Sequence, residues 1–362
     1  MDKFSIDGHK MQYHTERTAQ WLSAKTVEEK LNVFPIYVEI SPVGHCNHRC
    51  TFCAVDYIGY KYNLLSLDTL KRTLEGLANC GVKSIMFAGE GEPLLHKELA
   101  KAILFAKEVG LDVAITTNGT KLTQEFIEEC MHAITWIKVS LNGGTKEVYE
   151  KIHQTKGDDF DTVWRNLAGA CVLRELSGLN CTIGIQSVLL PENINTIEEA
   201  IIDAKHCGLD YVVVKPYSHH YSSITQLYKD IKYGDPIKMA AELAKYNDQR
   251  FEVVTRYISM QNQDNDERGY SKCYSTPFFW AYIMATGDLY GCSAYLLDER
   301  FKYGNINSSS FREVWTGDTR KRAMDFVENL LDIKECRKNC RMDKVNRYLW
   351  DIKNPKEHAN FV

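Results

Sequence analysis

Three cysteines stand in the short run His45-Cys46-Asn47-His48-Arg49-Cys50-Thr51-Phe52-Cys53, a C-x3-C-x2-C spacing. Three thiolates so close in sequence can hold three irons of a [4Fe–4S] cube, because soft sulfur ligands suit iron–sulfur clusters. The fourth iron then has no protein ligand and stands open to a small molecule with chelating donors. Three other readings compete. Structural zinc closes with four ligands and favours paired C-x2-C units, so it would need His45 or His48 as the fourth. A ferredoxin-type electron-transfer cluster needs a fourth cysteine nearby, and the next is Cys80. Buried free thiols that pack as small hydrophobes are the plainest option.

A second set lies far downstream. Cys273 is followed by thirteen residues, Gly287, four residues more and Cys292, and Cys336-Arg337-Lys338-Asn339-Cys340 adds a C-x3-C pair. Phe278 to Thr286 and Asp288 to Tyr290 read as a hairpin around Thr286-Gly287-Asp288. A cysteine at each side of a hairpin and a pair at a helix start can converge on one metal group, with four-thiolate zinc as the alternative. A cluster held by all four has no open iron. It can pass electrons but cannot chelate substrate. Cys171, Cys181 and Cys207 are needed for neither set and read as packed thiols.

The elements that must position these residues alternate. Tyr37-Val38-Glu39-Ile40 is a short apolar strand that feeds the first cysteine loop. Ser66 opens a helix with capping chemistry, its apolar positions Leu67, Leu70, Leu74 and Leu77 at helical spacing. Further strands are expected at 84–88, 113–117, 136–141, 181–188 and 210–216, with helices at 97–109, 123–131, 162–177 and 191–207. Strand and helix repeated about six times imply a parallel sheet with right-handed crossovers. The predicted fold is α/β: a partial (β/α)6 barrel with chemistry at the carboxyl ends of its strands, and a C-terminal extension of hairpin plus helix. The predicted organisation is an N-terminal helical segment (1–35), barrel (36–225), helical connector and loop (226–272) and auxiliary domain (273–362). One helix is expected around Thr15 to Asn32, and a surface loop over Gln261 to Gly269.

In order, these motifs resemble the radical S-adenosylmethionine superfamily over roughly residues 36 to 220. The resemblance implies that Cys46, Cys50 and Cys53 hold a [4Fe–4S] cluster whose open iron is chelated by S-adenosylmethionine. Phe52 matches the aromatic position that packs near the adenine. Gly89-Glu90-Gly91-Glu92-Pro93 looks like the family's Gly-Gly-Glu motif, so Gly91 and Glu92 are expected at the methionine ammonium, with Glu90 an extra carboxylate in place of the first Gly. Asn118, Ser140 and Asn142 stand at the ends of the next two strands and complete the expected cofactor site. Asn142 replaces a frequent Asp. No Arg lies near His153-Gln154, where a carboxylate-binding Arg often stands, which leaves Ser140, Lys151 or Lys156 for that contact. The downstream cysteines resemble the SPASM and twitch extensions. Cys273, Cys292, Cys336 and Cys340 suffice for one auxiliary [4Fe–4S] cluster of the shorter, twitch form.

The implied reaction is reductive cleavage of S-adenosylmethionine to a 5′-deoxyadenosyl radical that removes a hydrogen atom from substrate. A nearby closed cluster that takes the next electron turns this into a two-electron oxidation. Lys215, His219 and His220, near the end of the sixth strand, are the candidate bases for a substrate hydroxyl, ahead of Arg256 and Arg268. The alternatives are a carbohydrate epimerase with a cysteine hydrogen donor, a peptide maturase, and a non-catalytic iron–sulfur carrier or zinc scaffold.

Composition agrees with an enzyme. The chain has 362 residues and a formal charge of −4, unlike a basic nucleic-acid surface. It contains no 18-residue apolar run and no signal-peptide pattern at Met1 to Ser5, so the expected site is reducing cytoplasm, without a membrane partner. Twelve cysteines then read as ligands and thiols rather than disulfides. The expected partners are an electron donor such as flavodoxin or ferredoxin and a small polar substrate. About 35 residues before the first strand are short for a leader-peptide-binding domain. That favours a sugar, aminosugar or nucleotide sugar, on whose faces Tyr57, Tyr60, Tyr62, Tyr217 and Tyr221 could stack.

Overall fold

The computed structural model describes residues 9–155, 158–262, 268–337 and 339–361. Lys156, Lys338 and the part of the expected loop over 263–267 lie outside them. Apolar, β-branched runs form ten strands: β1 Tyr37–Ile40, β2 Ser84–Phe87, β3 Asp112–Thr117, β4 Trp136–Ser140, β5 Thr182–Leu189, β6 Tyr211–Pro216, β7 Glu252–Thr255, β8 Trp280–Ile283, β9 Asp288–Tyr290 and β10 Lys302–Asn305. They make one sheet in the order β10-β9-β8-β1-β2-β3-β4-β5-β6-β7. β1 to β7 pair in parallel with consecutive neighbours, while β8, β9 and β10 form an antiparallel meander.

Helices cover the outer face of the parallel strands, as crossover connections require. Their starts are set by local chemistry. Ser66 accepts a hydrogen bond from the Thr69 amide at 3.1 Å and begins helix Leu67–Asn79, which buries Leu70, Leu74 and Leu77. Thr123 and Thr145 cap helices Gln124–Cys130 and Lys146–His153 in the same way. The main core lies between these helices and the outward-facing residues of the sheet, including Val38, Ile85, Ile115, Ile137 and Ile183.

The partial barrel expected from the sequence is present, with two additions. The connector contributes a seventh parallel strand, β7, paired with β6 from Tyr211↔Glu252 to Val214↔Thr255. Glu252-Val253-Val254-Thr255 is short and lies between polar flanks, so its β-branched pattern is easily taken for connector. The first strand of the extension, β8, pairs in parallel with β1 from Tyr37↔Trp280 to Ile40↔Ile283. The extension therefore continues the barrel sheet on its other edge. The N-terminal segment holds two helices rather than one, Thr15–Ser23 and Val27–Leu31. The break falls where Thr26 and Glu29 form a capping box that starts a new helix.

Arg320 ties the N-terminal segment to the extension. It is fully buried, stacks on Trp315 at 4.0 Å and donates to the carbonyls of Leu31, Val33, Pro277 and Trp315. Four carbonyl acceptors satisfy a buried guanidinium without a carboxylate.

Candidate active site

Alternation along β4 decides what faces inward. Ile137 and Val139 are buried in the core, while Trp136, Lys138 and Ser140 line a cavity of about 1200 Å³ inside the barrel. The same alternation brings Glu39, Met86, Thr116, Gln186, Lys215 and Tyr282 to its wall. Cys46, Cys50 and Cys53 border this cavity, and so does Cys340 from the extension. The first cysteine set and Cys340 of the second thus border one shared cavity.

The first cysteine loop is shaped by neighbouring backbone. Thr51 N–H donates to Ile152 C=O at 2.8 Å, and Cys53 N–H to Cys50 C=O at 3.1 Å. Arg49 donates to the Cys46 and His48 carbonyls at 2.7 Å each and lies 4.1 Å from the Tyr60 ring centroid. Gly91 packs against the loop's entry: a Cβ there would stand 2.2 Å from Val43 C=O and 2.4 Å from His45 C=O. Only glycine fits so close to another backbone. The next residue's amide, Glu92 N–H, donates to the same His45 carbonyl at 2.9 Å.

Glu92 is buried and accepts three hydrogen bonds: Leu94 N–H at 3.0 Å, Thr117 Oγ1 at 2.5 Å and Asn118 N–H at 2.7 Å. Burial outweighs these bonds and raises its pKa to about 7. A carboxylate offers about four acceptor sites, so one stays open to an ammonium group. Asn118 is more fully committed, donating from Nδ2 to Asn47 and accepting at Oδ1 from Thr120. Its amide braces the cysteine loop. Asn142 is likewise spent on its own chain, its Oδ1 accepting from Val188 N–H at 2.6 Å. Ser140, Phe52 and the Gly91 backbone remain at the cavity wall. Lys151 is exposed.

Asn142 also fixes a residue that sequence reasoning missed. Its backbone N–H points at His153 Nε2 at 3.2 Å, so Nε2 is the acceptor and the ring proton sits on Nδ1. Nδ1 lies 3.4 Å from Cys50 Sγ and donates to it. His153 is fully buried and stacks on Tyr149 at 4.1 Å, and burial pushes its pKa well down, so it is a neutral donor.

The thiols are raised above their ordinary values, first by burial and then by other negative groups nearby. For Cys50 these include Cys53 and Cys46, and Cys46 itself is pushed up to about 12. Thiols that oppose one another's ionisation suit a cation that neutralises them together. In the extension, Cys292 and Cys340 are raised by burial and by the other cysteines of the quartet, Cys340 to about 12. Asn346 Nδ2 donates to Cys273 Sγ at 3.6 Å, and Tyr295 OH stands 3.4 Å from Cys336 Sγ. Cys292 thus lies within electrostatic reach of Cys273, Cys336 and Cys340.

The spacing of the thiolates is compatible with iron–sulfur cubes. Four thiolates around one tetrahedral zinc lie about 3.8 Å apart, from the Zn–S bond length. Among the described residues, the one set of three or more ligand atoms that closes within 4.8 Å is His48, Cys50 and His153. Neither cysteine set is that tight, whereas a cube spreads its thiolates over separate corners. His48 Nε2 faces Asp159 at 3.3 Å while its Nδ1 is buried without a hydrogen-bond partner, and the His45 ring lies tilted at 4.6 Å from that of Tyr62. The donor sets fit two cubes.

The expected bases are divided. Lys215 lines the cavity at the end of β6. His220 is buried outside the lining, stacked on Tyr57 at 4.6 Å; its Nε2 donates to Ala294 C=O at 3.0 Å and its Nδ1 accepts from Ser222 N–H at 3.0 Å. Nε2 joins the barrel side to the extension and Nδ1 closes its own loop, so both ring nitrogens are engaged and it is no free base. His219 also lies outside the lining, against Tyr217 OH at 3.4 Å. Of the five tyrosines, Tyr60, Tyr217 and Tyr221 reach the cavity wall, whereas Tyr57 is held by His220 and Tyr62 is 88% exposed. Arg256 and Arg268 line the cavity, joined by Lys138, Arg337 and Arg341, which sequence reading passed over.

Comparison with known proteins agrees with this geometry. Residues 40–204 match the radical SAM superfamily, and residues 273–341 match the SPASM iron–sulfur cluster-binding domain. The chain is 38% identical over 112 residues to an S-adenosylmethionine-dependent nucleotide dehydratase of Lacinutrix mariniflava, a match covering 30% of this chain and 23% of that protein. It is 24% identical over 299 residues to an Fe-coproporphyrin III synthase of Methanosarcina barkeri, covering 75% of this chain and 71% of the relative. In fold it is similar to Streptococcus suis SuiB bound to S-adenosylmethionine, with TM-score 0.65 and 19% identity over 87% of this chain and 72% of SuiB. Domains of these two kinds bring S-adenosylmethionine and [4Fe–4S] clusters, basal and auxiliary, as cofactors. No helix among the described residues is long and apolar enough to cross a membrane. The chain belongs to the radical SAM superfamily, with a SPASM iron–sulfur domain after its barrel.

Proposed function

We propose that this protein oxidises a small polar molecule by hydrogen-atom removal, with Cys46, Cys50 and Cys53 holding the S-adenosylmethionine-binding cluster and Cys273, Cys292, Cys336 and Cys340 an auxiliary one. When bound, these groups supply a 5′-deoxyadenosyl radical that takes the hydrogen atom and a nearby acceptor for the second electron. The carrying observation is one cavity bordered by Cys46, Cys50 and Cys53 and, from the extension, by Cys340. A substrate there lies between hydrogen-atom acceptor and electron acceptor, the placement such a reaction requires.

The chain's own residues do the positioning. Gly91 and Glu92 hold the cysteine loop, and Glu92 offers its remaining acceptor site to the methionine ammonium. Ser140 offers a hydroxyl at the end of β4, and Phe52 an aromatic face at the cavity wall. Lys215 takes the proton of a substrate hydroxyl. Burial and then the nearby Lys138, Arg256, Arg337 and Arg341 charges hold its pKa well below the ordinary lysine value, which favours the neutral amine. An external flavodoxin- or ferredoxin-type protein delivers the first electron.

Oxidation is favoured over epimerisation because an epimerase needs a spare thiol as hydrogen donor. Among the described residues, every cysteine at the cavity wall belongs to one of the two sets. Small molecules are favoured over peptides by the names of two relatives, a nucleotide dehydratase and a coproporphyrin synthase. The test is anaerobic turnover with a panel of sugars, sugar phosphates and nucleotide sugars in deuterated water. The reading expects a product lighter by two hydrogens from the wild type. It expects none from a Cys273→Ala/Cys292→Ala variant that still forms 5′-deoxyadenosine. A product of unchanged hydrogen count with deuterium on carbon would instead establish an epimerase.

A further inference from the structure

The chain is acidic overall, but its cavity is not. Ten Lys or Arg side chains line it against four carboxylates. Two of those four, Glu90 and Glu92, have pKa values raised to about 7, chiefly by burial. A third, Glu39, is paired with Arg341, and the fourth, Asp343, with Arg347 at 2.8 Å. Among the described residues of the lining, positive side chains therefore outnumber negative ones. They sit around a concave space, where field lines concentrate on whatever enters.

The cations come from separate elements. Lys138 points inward from β4 and Arg256 follows β7 directly, while Lys215 at the end of β6 is held as the neutral amine. The segment that carries Cys336 and Cys340 and the helix Asp343–Lys353 after it supply Lys334, Arg337, Arg341, Lys344 and Arg347 to the lining. Barrel and extension thus present positive groups to each other across the space beside the auxiliary cysteines. Burial and then the neighbouring Arg341 charge push the Lys138 pKa down to about 8, and Lys215 is lowered by the same neighbours. A fold that gathers like charges around one cavity is completed by a ligand of opposite charge.

We propose that the substrate carries a phosphate or diphosphate group, held between Lys138 and Arg256 of the barrel and Arg337 of the extension. This rests on the functional reading above and narrows its small polar molecule to a phosphorylated one. Two features select phosphoryl over a single carboxylate. The excess charge calls for more than one negative charge, and guanidinium groups from two sides match the several oxygens of a phosphoryl group. Anchoring by the anion places the rest of the molecule towards the first cysteine loop, with Lys215 beside it.

The test uses the anaerobically reconstituted holoenzyme with S-adenosylmethionine, titrated calorimetrically with pyrophosphate and, separately, citrate. The expected result is saturable pyrophosphate binding to the wild type, weakened about tenfold or more in Arg256→Gln, Arg337→Gln and Lys138→Gln. The exposed variant Lys107→Gln is expected to bind as the wild type does. Arg341→Gln is a poor probe, because it strands the buried Glu39. Iron content and substrate-free formation of 5′-deoxyadenosine check each variant for an intact radical centre. No pyrophosphate binding by an enzyme that still cleaves S-adenosylmethionine overturns the proposal, as does equal binding by all variants. Citrate binding tighter than pyrophosphate also overturns it, in favour of a polycarboxylate. Failure of the underlying radical reading is seen separately, as absent 5′-deoxyadenosine.

Discussion

Replacing Gly91 with alanine tests how the barrel shapes the first cysteine loop. The added Cβ would stand 2.2 Å from Val43 C=O, 2.4 Å from His45 C=O and 2.9 Å from the Gly44 carbonyl carbon. Such contacts do not close much below about 3 Å, so the 43–45 backbone must retreat by roughly 0.8 Å, an overpacking cost of about 1–3 kcal/mol. The retreat also strains the Glu92 N–H to His45 C=O bond, 2.9 Å long, worth about 1 kcal/mol. A total of about 2–4 kcal/mol is a large share of a typical folding free energy. Cys46 follows His45 directly, so the displacement reaches the first cluster ligand. The assay is the urea midpoint of the apo protein together with iron per chain after anaerobic reconstitution. We expect a lower midpoint, and iron falling from about eight towards about four, since the downstream quartet is untouched. Gly169→Ala is the control: this helix position meets only the flexible Gln124 Oε1 at 3.3 Å and gains helix propensity. A Gly91→Ala protein with full iron and an unchanged midpoint would refute the reasoning.

Two further outcomes follow from single contacts. His153→Leu removes the N–H donor to Cys50, and with it a bond that strengthens as the cluster gains negative charge. If that gain is about 1 kcal/mol, the reduction potential of the first cluster falls by roughly 40 mV. Potentiometric titration followed by electron paramagnetic resonance reads this, and an unchanged or higher potential contradicts it. Glu90 gives a pH dependence. Burial raises its folded pKa to about 7 from an ordinary 4.5, although Ala285 N–H donates to its Oε1 at 2.9 Å. Its folded state binds the proton more tightly than the unfolded state. The contribution is therefore full below about pH 4.5 and is lost as pH rises towards 7, by up to about 3 kcal/mol. Glu90→Gln should flatten that slope in urea titrations of the apo protein between pH 5 and 7.5, and an unaltered slope argues against the assignment.

How much of this was legible in the sequence depends on the range of the signal. The cysteine spacings, the Ser66 cap and the alternation of strands and helices are local, and the structure contains them. The parallel pairing of β8 with β1 joins residues more than two hundred apart in sequence, and no local pattern announces it. The tightness at Gly91 was invisible for the same reason, since its neighbours come from the 43–45 backbone. His219 and His220 illustrate the opposite failure. Their residue type suggested a base, but the contact with Ala294 across the barrel–extension seam decides what His220 does. Lys138 could have been found. Its place between Trp136 and Ser140, alternating with apolar Ile137 and Val139, already put a lysine on the inward face.

The most direct test of the central claim compares wild type with a Cys46→Ala/Cys50→Ala/Cys53→Ala variant after anaerobic reconstitution with iron and sulfide. Iron and zinc are counted per chain, and 5′-deoxyadenosine is measured with dithionite and S-adenosylmethionine. Two cubes predict about eight irons in the wild type, about four in the variant, and 5′-deoxyadenosine from the wild type alone. Zinc at either site, or equal 5′-deoxyadenosine from both proteins, would contradict the account.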